Sequence, residues 1–164
     1  DPEQARNALS GGSLPEVQMT ALDWDQQHTV NLYLNYRGTS WGASTIGQWG
    51  SGLPYSPRRS QDITALLTNS QRKPMTYNVD ARGYYDFKFG TTTLTLFARV
   101  LNLFDTLNEL NVFDTSGQAG FSMDQRIAEA TNPPQVINSL DQWFSNPTHY
   151  SEPRRIELGM TFTF

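Results

Sequence analysis

At 164 residues, 37% hydrophobic and 17% charged, the chain has the totals of one ordinary soluble domain, so composition leaves the fold class open. A mean hydropathy of -0.53 and no run near the ~18 apolar residues of a spanning helix exclude a helical membrane protein. A net charge of -4 argues against nucleic-acid binding, and the lack of cysteine removes disulfides, thiolate metal sites and thiol nucleophiles.

Asp1 opens a polar stretch, DPEQARNALSGGS, in place of the basic-then-apolar pattern of an export signal. If the protein is exported, its N-terminus is expected elsewhere. Residues 1–27 read as a long loop. From about 28 to 37, Val30, Leu32, Leu34 and Tyr36 take one face and Thr29, Asn31, Tyr33, Asn35 and Arg37 the other, a strand with one apolar side. A second strand is expected at 41–50, with Trp41, Ala43, Gly47 and Trp49 in one phase and Ile46 breaking it. Residues 51–75, with SGLPYSPRRS, carry turn chemistry and form a second long loop.

A third strand, 76–89, sets Tyr77, Val79, Ala81, Gly83, Tyr85, Phe87 and Phe89 against Asn78, Asp80, Arg82, Tyr84, Asp86 and Lys88. A fourth, 92–102, sets Leu94, Leu96, Ala98 and Val100 against Thr93, Thr95, Phe97 and Arg99. TSGQAG, TNPPQ and SNPTHYSEP mark 104–152 as a third long loop. In a last strand, 154–164, Ile156, Leu158, Met160, Phe162 and Phe164 alternate with Arg155, Glu157, Gly159, Thr161 and Thr163.

Such alternation fits a soluble sandwich or a lipid-facing barrel. Three features favour the barrel, giving an all-β, antiparallel transmembrane fold as the expectation. Ionisable residues sit mid-strand on the polar faces, as a wet lumen permits. Aromatic residues gather at strand ends, with Tyr36 and Trp41 beside one tight turn and Tyr85, Phe87 and Phe89 beside another, like an interfacial girdle. Short connections alternate with long ones. If the chain ends on the periplasmic side, strand parity puts both short turns there and all three long loops outside, with 102–114 extending the fourth strand or joining the loop.

Four motifs make the chain resemble the TonB-dependent outer-membrane receptors and transporters. Asp23-Trp24-Asp25-Gln26-Gln27-His28-Thr29 is similar to the entry of a late barrel strand, with Gln27 where Arg is common. Ser51-Gly52-Leu53-Pro54-Tyr55 resembles the exit of the next strand, and Asn102-Leu103-Phe104-Asp105 an element close to the family's C-terminus. Pro153-Arg154-Arg155-Ile156 through Phe164 resembles the closing strand, so the likeness runs from about residue 23 to the end.

The resemblance implies a barrel of about 22 strands around a plug, of which these are the last five. Nothing here matches the plug or the TonB-engaging segment, so the chain is expected to be a barrel piece without its plug domain. The implied function is import of a scarce solute (a metal chelate, a vitamin or a glycan) across a Gram-negative outer membrane. The implied partners are outer-membrane lipid, the remainder of the barrel and plug, TonB through the missing N-terminal part, and the barrel assembly machinery. Five strands cannot close, so the final strand is expected to meet the barrel's first. Two other readings stay open: a barrel with a surface-binding or structural role and no active import, and a soluble β-sandwich binding module.

By the resemblance, Ile156, Leu158, Met160, Phe162 and Phe164 form an assembly signal, and the same apolar face can serve as an ordinary lipid-facing strand. Arg37, Asp80, Arg82, Asp86, Lys88, Arg99 and Glu157 are expected to face the lumen, against a plug or solute path or as cross-strand ion pairs. Asp23, Asp25 and His28 have metal-ligand chemistry, yet loop hydrogen bonding explains them better, and His149 stands alone; no metal is expected. No catalytic or nucleotide motif occurs, so neither enzyme chemistry nor a cofactor is expected. Trp143, Phe144 and Tyr150 are candidates for ligand capture or for loop packing.

Overall fold

The computed structural model describes residues 19–58, 68–131 and 146–164, with Arg6 and Ser10. Its strands are β1 (Thr29–Arg37), β2 (Trp41–Gly50), β3 (Pro54–Tyr55), β4 (Gln71–Arg72), β5 (Thr76–Phe89), β6 (Thr92–Leu101) and β7 (Arg155–Thr163). Five of them form one antiparallel sheet in the order β1-β2-β5-β6-β7, while β3 and β4 make a separate two-stranded pair. The protein is mainly β, as the alternation predicts, and the long-strand bounds fall within one residue of expectation. The sheet is open, not closed into a barrel. Among the described residues no strand covers the outer edges of β1 and β7.

Two tight turns sit at one end of the sheet. Gly38 N–H donates to the Trp41 carbonyl at 2.8 Å to close the first. Gly90 opens the second with a φ of 62°, which a II′ hairpin requires at its first central position and which a side chain would strain. The three long connections gather at the opposite end.

Segment 102–114 is a loop, and it takes over where β6 stops. β6 covers β5 only from Ala81 onward, leaving the first residues of β5 without a ladder on that side. Leu103 N–H donates to the Val79 carbonyl at 2.7 Å. The Asn108 side chain then imitates a strand: its Oδ1 accepts from Tyr77 N–H at 2.9 Å and its Nδ2 donates to the Tyr77 carbonyl at 2.8 Å. A backbone that must satisfy every donor and acceptor is served by a side-chain amide.

Asn102 makes the departure from β6 possible. It adopts a φ of 53°, and Asp105 follows with 55°, a conformation that Asn and Asp tolerate better than other side chains. Asn102 is buried; its Nδ2 donates to the carbonyls of Thr106 and Glu152, both at 2.9 Å, and its Oδ1 accepts from Thr106 N–H at 2.9 Å. Asp105 Oδ1 accepts from Arg154 N–H at 2.8 Å, tying the start of β7 to the end of β6.

The third connection also contains a helix, α1 (Met123–Thr131), where an irregular loop was expected. Ser122 precedes it, and Ser122 Oγ accepts from Asp124 N–H at 3.3 Å. Ser122 and Gln125 have the S-x-x-Q spacing of a helix start, and Asp124 places an anion in the first turn.

Replacing Asn102 tests the departure turn. Asn102→Ala removes three side-chain bonds and strains the backbone, with an expected loss of about 3 kcal/mol. Asn102→Gly relieves the strain and is expected to lose about 1 kcal/mol less. Urea midpoints of the refolded chain measure both, and an equal loss would assign the whole cost to the hydrogen bonds.

Candidate functional site

The register joins the alternating faces of five strands into two continuous surfaces. On the apolar surface Val30, Trp49 and Tyr77 stand in one row across β1, β2 and β5. Further down, Trp41, Tyr85, Leu96 and Met160 form a row, then Phe87, Leu94 and Phe162. Aromatic side chains therefore border this surface at both ends, with aliphatic and small residues between. The Tyr36 and Trp41 rings lie 4.7 Å apart, as do those of Tyr85 and Phe87, and Phe162 meets Phe164 edge-on at 5.6 Å.

Among the described residues no second layer covers these side chains. Among the described residues Ala119, in a loop, is the single buried hydrophobic residue. Leu158 is 79% exposed and Met160 76%. All five members of the expected assembly signal are exposed: Ile156, Leu158, Met160 and Phe162 share this surface, and Phe164 follows the end of β7.

The opposite surface holds all seven residues expected on the polar side. Asn35, Ser44, Arg82, Arg99 and Glu157 cross the five strands in one row. Arg99 pairs with Glu157 at 3.3 Å, and Arg155 with Glu157 at 3.1 Å. Both pairs are solvent-exposed enough to contribute little each. Asp80 Oδ1 accepts from Asn78 Nδ2 and from Asn102 N–H, both at 2.9 Å, and Asp86 Oδ1 accepts from the Thr95 hydroxyl at 2.6 Å. Arg37, Arg82 and Lys88 have no ion pair among the described residues. Ile46, which breaks the alternation of β2, lies on this surface between Tyr33 and Asp80.

Aromatic rings on the polar side cover glycines on the next strand. Tyr84 lies where a side chain at Gly42 would stand, and Phe97 does the same at Gly159. Each pair fills one strand's missing side chain with its neighbour's ring, the device that lets glycine sit in a sheet at low cost.

The motif Asp23 to Thr29 binds loop to loop. Asp25 Oδ2 lies 2.6 Å from an Arg72 guanidinium nitrogen, and Arg72 also donates to the carbonyls of Asp25 at 2.7 Å and Gly52 at 3.2 Å. Asp23 Oδ1 accepts from Asn69 Nδ2 at 2.7 Å. His28 uses its backbone, exchanging bonds with Ser51 at 3.0 and 2.9 Å, and Trp24 is exposed. No group of carboxylates and imidazoles among the described residues is placed to hold a metal ion. Of the Asn102 to Asp105 motif, Asn102 and Asp105 shape the turn, Leu103 binds β5 through its backbone, and Phe104 is exposed.

The His149 ring meets Phe113 at 4.9 Å, and its carbonyl accepts from the backbone of Leu110 and Asn111. Tyr150 bridges to Glu109. Trp143 and Phe144 lie outside the described residues. Arg58 pairs with Asp114 at 3.3 Å and also with Asp124, and Lys73 Nζ donates to the Leu110 carbonyl at 2.8 Å. Polar bonds thus join all three long connections into one cluster.

Asn69, Arg72 and Asn108, which hold this cluster, carry no local pattern that separates them from ordinary loop residues; only the φ of 51° at Asn69 has a sequence correlate, the Asn-Ser turn. No protein-family model, curated protein or solved structure matches the chain. Arg72→Ala is expected to raise protease cleavage within residues 20–28 while far-UV circular dichroism stays unchanged. Arg72→Lys should rescue little, because an ammonium cannot reach two carbonyls and a carboxylate in one plane.

Proposed function

We propose that this chain is a wall of an outer-membrane β-barrel of the TonB-dependent transporter kind, taking part in import of a scarce solute such as a metal chelate, a vitamin or a glycan. The observation that carries the reading is an uncovered apolar surface bordered by aromatic rows at both ends, backed by a polar surface with charged residues. From Tyr77 to Phe87 is ~10 residues, about 33 Å of strand, and at a barrel tilt of ~40° about 25 Å of height. That equals the apolar band of an outer-membrane barrel, with rings at both interfaces.

The rest of the reading extends the same proposal. Strands of the same barrel cover the edges of β1 and β7, since unpaired backbone groups in lipid cost several kcal/mol each. The short turns and Phe164 face the periplasm and the loop cluster faces outward. The transport step rests on the four motifs named above, with TonB and the plug engaged through other parts of the protein. Recognition of β7 by the assembly machinery belongs to the same proposal.

Charge on the apolar surface tests the lipid assignment. Leu96→Lys and Leu158→Lys are expected to cost roughly 2–4 kcal/mol in folding into bilayers. Thr95→Lys and Thr161→Lys are expected to be mild, and equal costs at both sets would refute the assignment of faces. Recovery of the folded chain in the aqueous fraction without detergent would instead support a sandwich.

Orientation has its own test, with single cysteines introduced into these 164 residues, which carry none. In whole cells a membrane-impermeant maleimide should label Asp114→Cys, and should label Thr91→Cys only after the outer membrane is opened. The reverse pattern would invert the topology.

A further inference from the structure

On the polar surface the ion pairs stop short of one place. Arg37 on β1 and Arg82 on β5 flank β2 diagonally, with Arg37 opposite Gly42 and Arg82 opposite Ser44. Between two long cationic side chains, β2 presents the short Ser44 hydroxyl, while the Tyr84 ring lies over Gly42. The result is a depression of about 340 Å³ lined by Tyr33, Asn35, Arg37, Ser44, Arg82 and Tyr84.

Neither guanidinium is neutralised. Arg58, Arg72, Arg99 and Arg155 each hold a carboxylate within 4.0 Å, but Arg37 and Arg82 hold none among the described residues. Arg82 meets the Phe97 ring, with Cζ 5.5 Å from the ring centre, and no hydrogen bond to oxygen holds its guanidinium among the described residues. The neighbouring carboxylates Asp80 and Asp86 are engaged by Asn78, Asn102 and Thr95. Two like charges across one small depression repel each other until an anion enters.

We propose that this depression is a binding site for a carboxylate group, gripped by the Arg37 and Arg82 guanidiniums, with the Tyr33 and Tyr84 phenols and the Ser44 hydroxyl as further donors. Guanidinium forks match the two oxygens of a carboxylate. The two phenol rings give the depression apolar flanks, which suit an organic acid better than a compact, strongly hydrated phosphate. The lining residues all stand on strands, so the donors are held by ladder hydrogen bonds and not by a loop. The carboxylate comes either from a dissolved solute or from an acidic side chain of a protein segment lying on this surface. The site is built on β1, β2 and β5, with Phe97 of β6 against Arg82, and survives if the membrane reading fails.

Calorimetric titration of the full chain, refolded in detergent micelles, tests the site with citrate, inorganic phosphate and a tetra-aspartate peptide. Citrate or the peptide is expected to bind once per chain. Arg37→Gln or Arg82→Gln should weaken binding at least tenfold, and Arg99→Gln, which removes a cation already paired with Glu157, should leave it unchanged. Arg37→Lys and Arg82→Lys keep the net charge and remove the fork; they too should weaken binding, with strand content checked by circular dichroism.

Tighter binding of citrate assigns the site to a solute, and tighter binding of the peptide to a protein segment; both uphold it. No binding by either carboxylate probe, an equal loss with Arg99→Gln, no loss with the Lys variants, or tighter binding of phosphate overturns it. Recovery of the chain in the aqueous fraction would sink the barrel reading alone.

Discussion

A single register runs through four antiparallel ladders, and most of what this protein presents to its surroundings depends on it. Val30 stands beside Trp49 and Tyr77, and Ala98 beside Leu158, because no bulge interrupts the paired runs between them. A slip of one residue in any ladder would send one strand's leucines to the arginine side, since side chains alternate with a period of two. The exposed apolar residues and the uncompensated arginines thus share one cause.

The register is protected at the loop end by side chains acting as backbone. Asn108 bonds both polar groups of Tyr77, and Asn102 pins the turn by which the chain leaves β6. Arg72 acts similarly between the first two loops. These anchors matter more in this chain than in a sandwich, because among the described residues no hydrophobic core is present to hold loops in place. Fixing them with directional bonds keeps one end of the sheet ordered without burying apolar surface there.

The strands were legible because alternation is a local property, readable from each segment by itself. Ile46 shows the limit: in the sequence it breaks the pattern of β2, and only the pairing with Tyr33 and Asp80 explains which side it takes. Arg37 and Arg82 could each be assigned to the polar side, yet their common depression depends on β2 pairing with β5 across a long connection. Asn102-Leu103-Phe104-Asp105-Thr106 is nearly repeated as Asn111-Val112-Phe113-Asp114-Thr115, but Asn102 and Asp105 have positive φ while Asn111 and Asp114 do not. The difference lies in partners, since Asn102 meets the end of β6 and Glu152 whereas Asn111 meets His149. The start of α1 was present in the Ser122 and Gln125 spacing and was hidden by the Pro-rich stretch that follows.

The two surfaces make opposite demands that one environment cannot meet. Full burial of a Leu or Met side chain is worth about 1.5–3 kcal/mol, so leaving Leu158, Met160, Leu32 and Leu34 in water forgoes several times that. Covering the same sheet on both sides with apolar matter would strand Arg37, Arg82 and Lys88, whose charges need water or an anion. A sheet of this kind is at rest only at a boundary, with hydrocarbon or protein on one side and a polar medium on the other. Along the polar side the uncharged row Asn31, Gln48 and Asn78 lies near the loops, and charges of both signs, Asp80, Arg82, Arg99, Glu157 and Asp86, follow toward the turns, so the polar medium must solvate anions and cations alike.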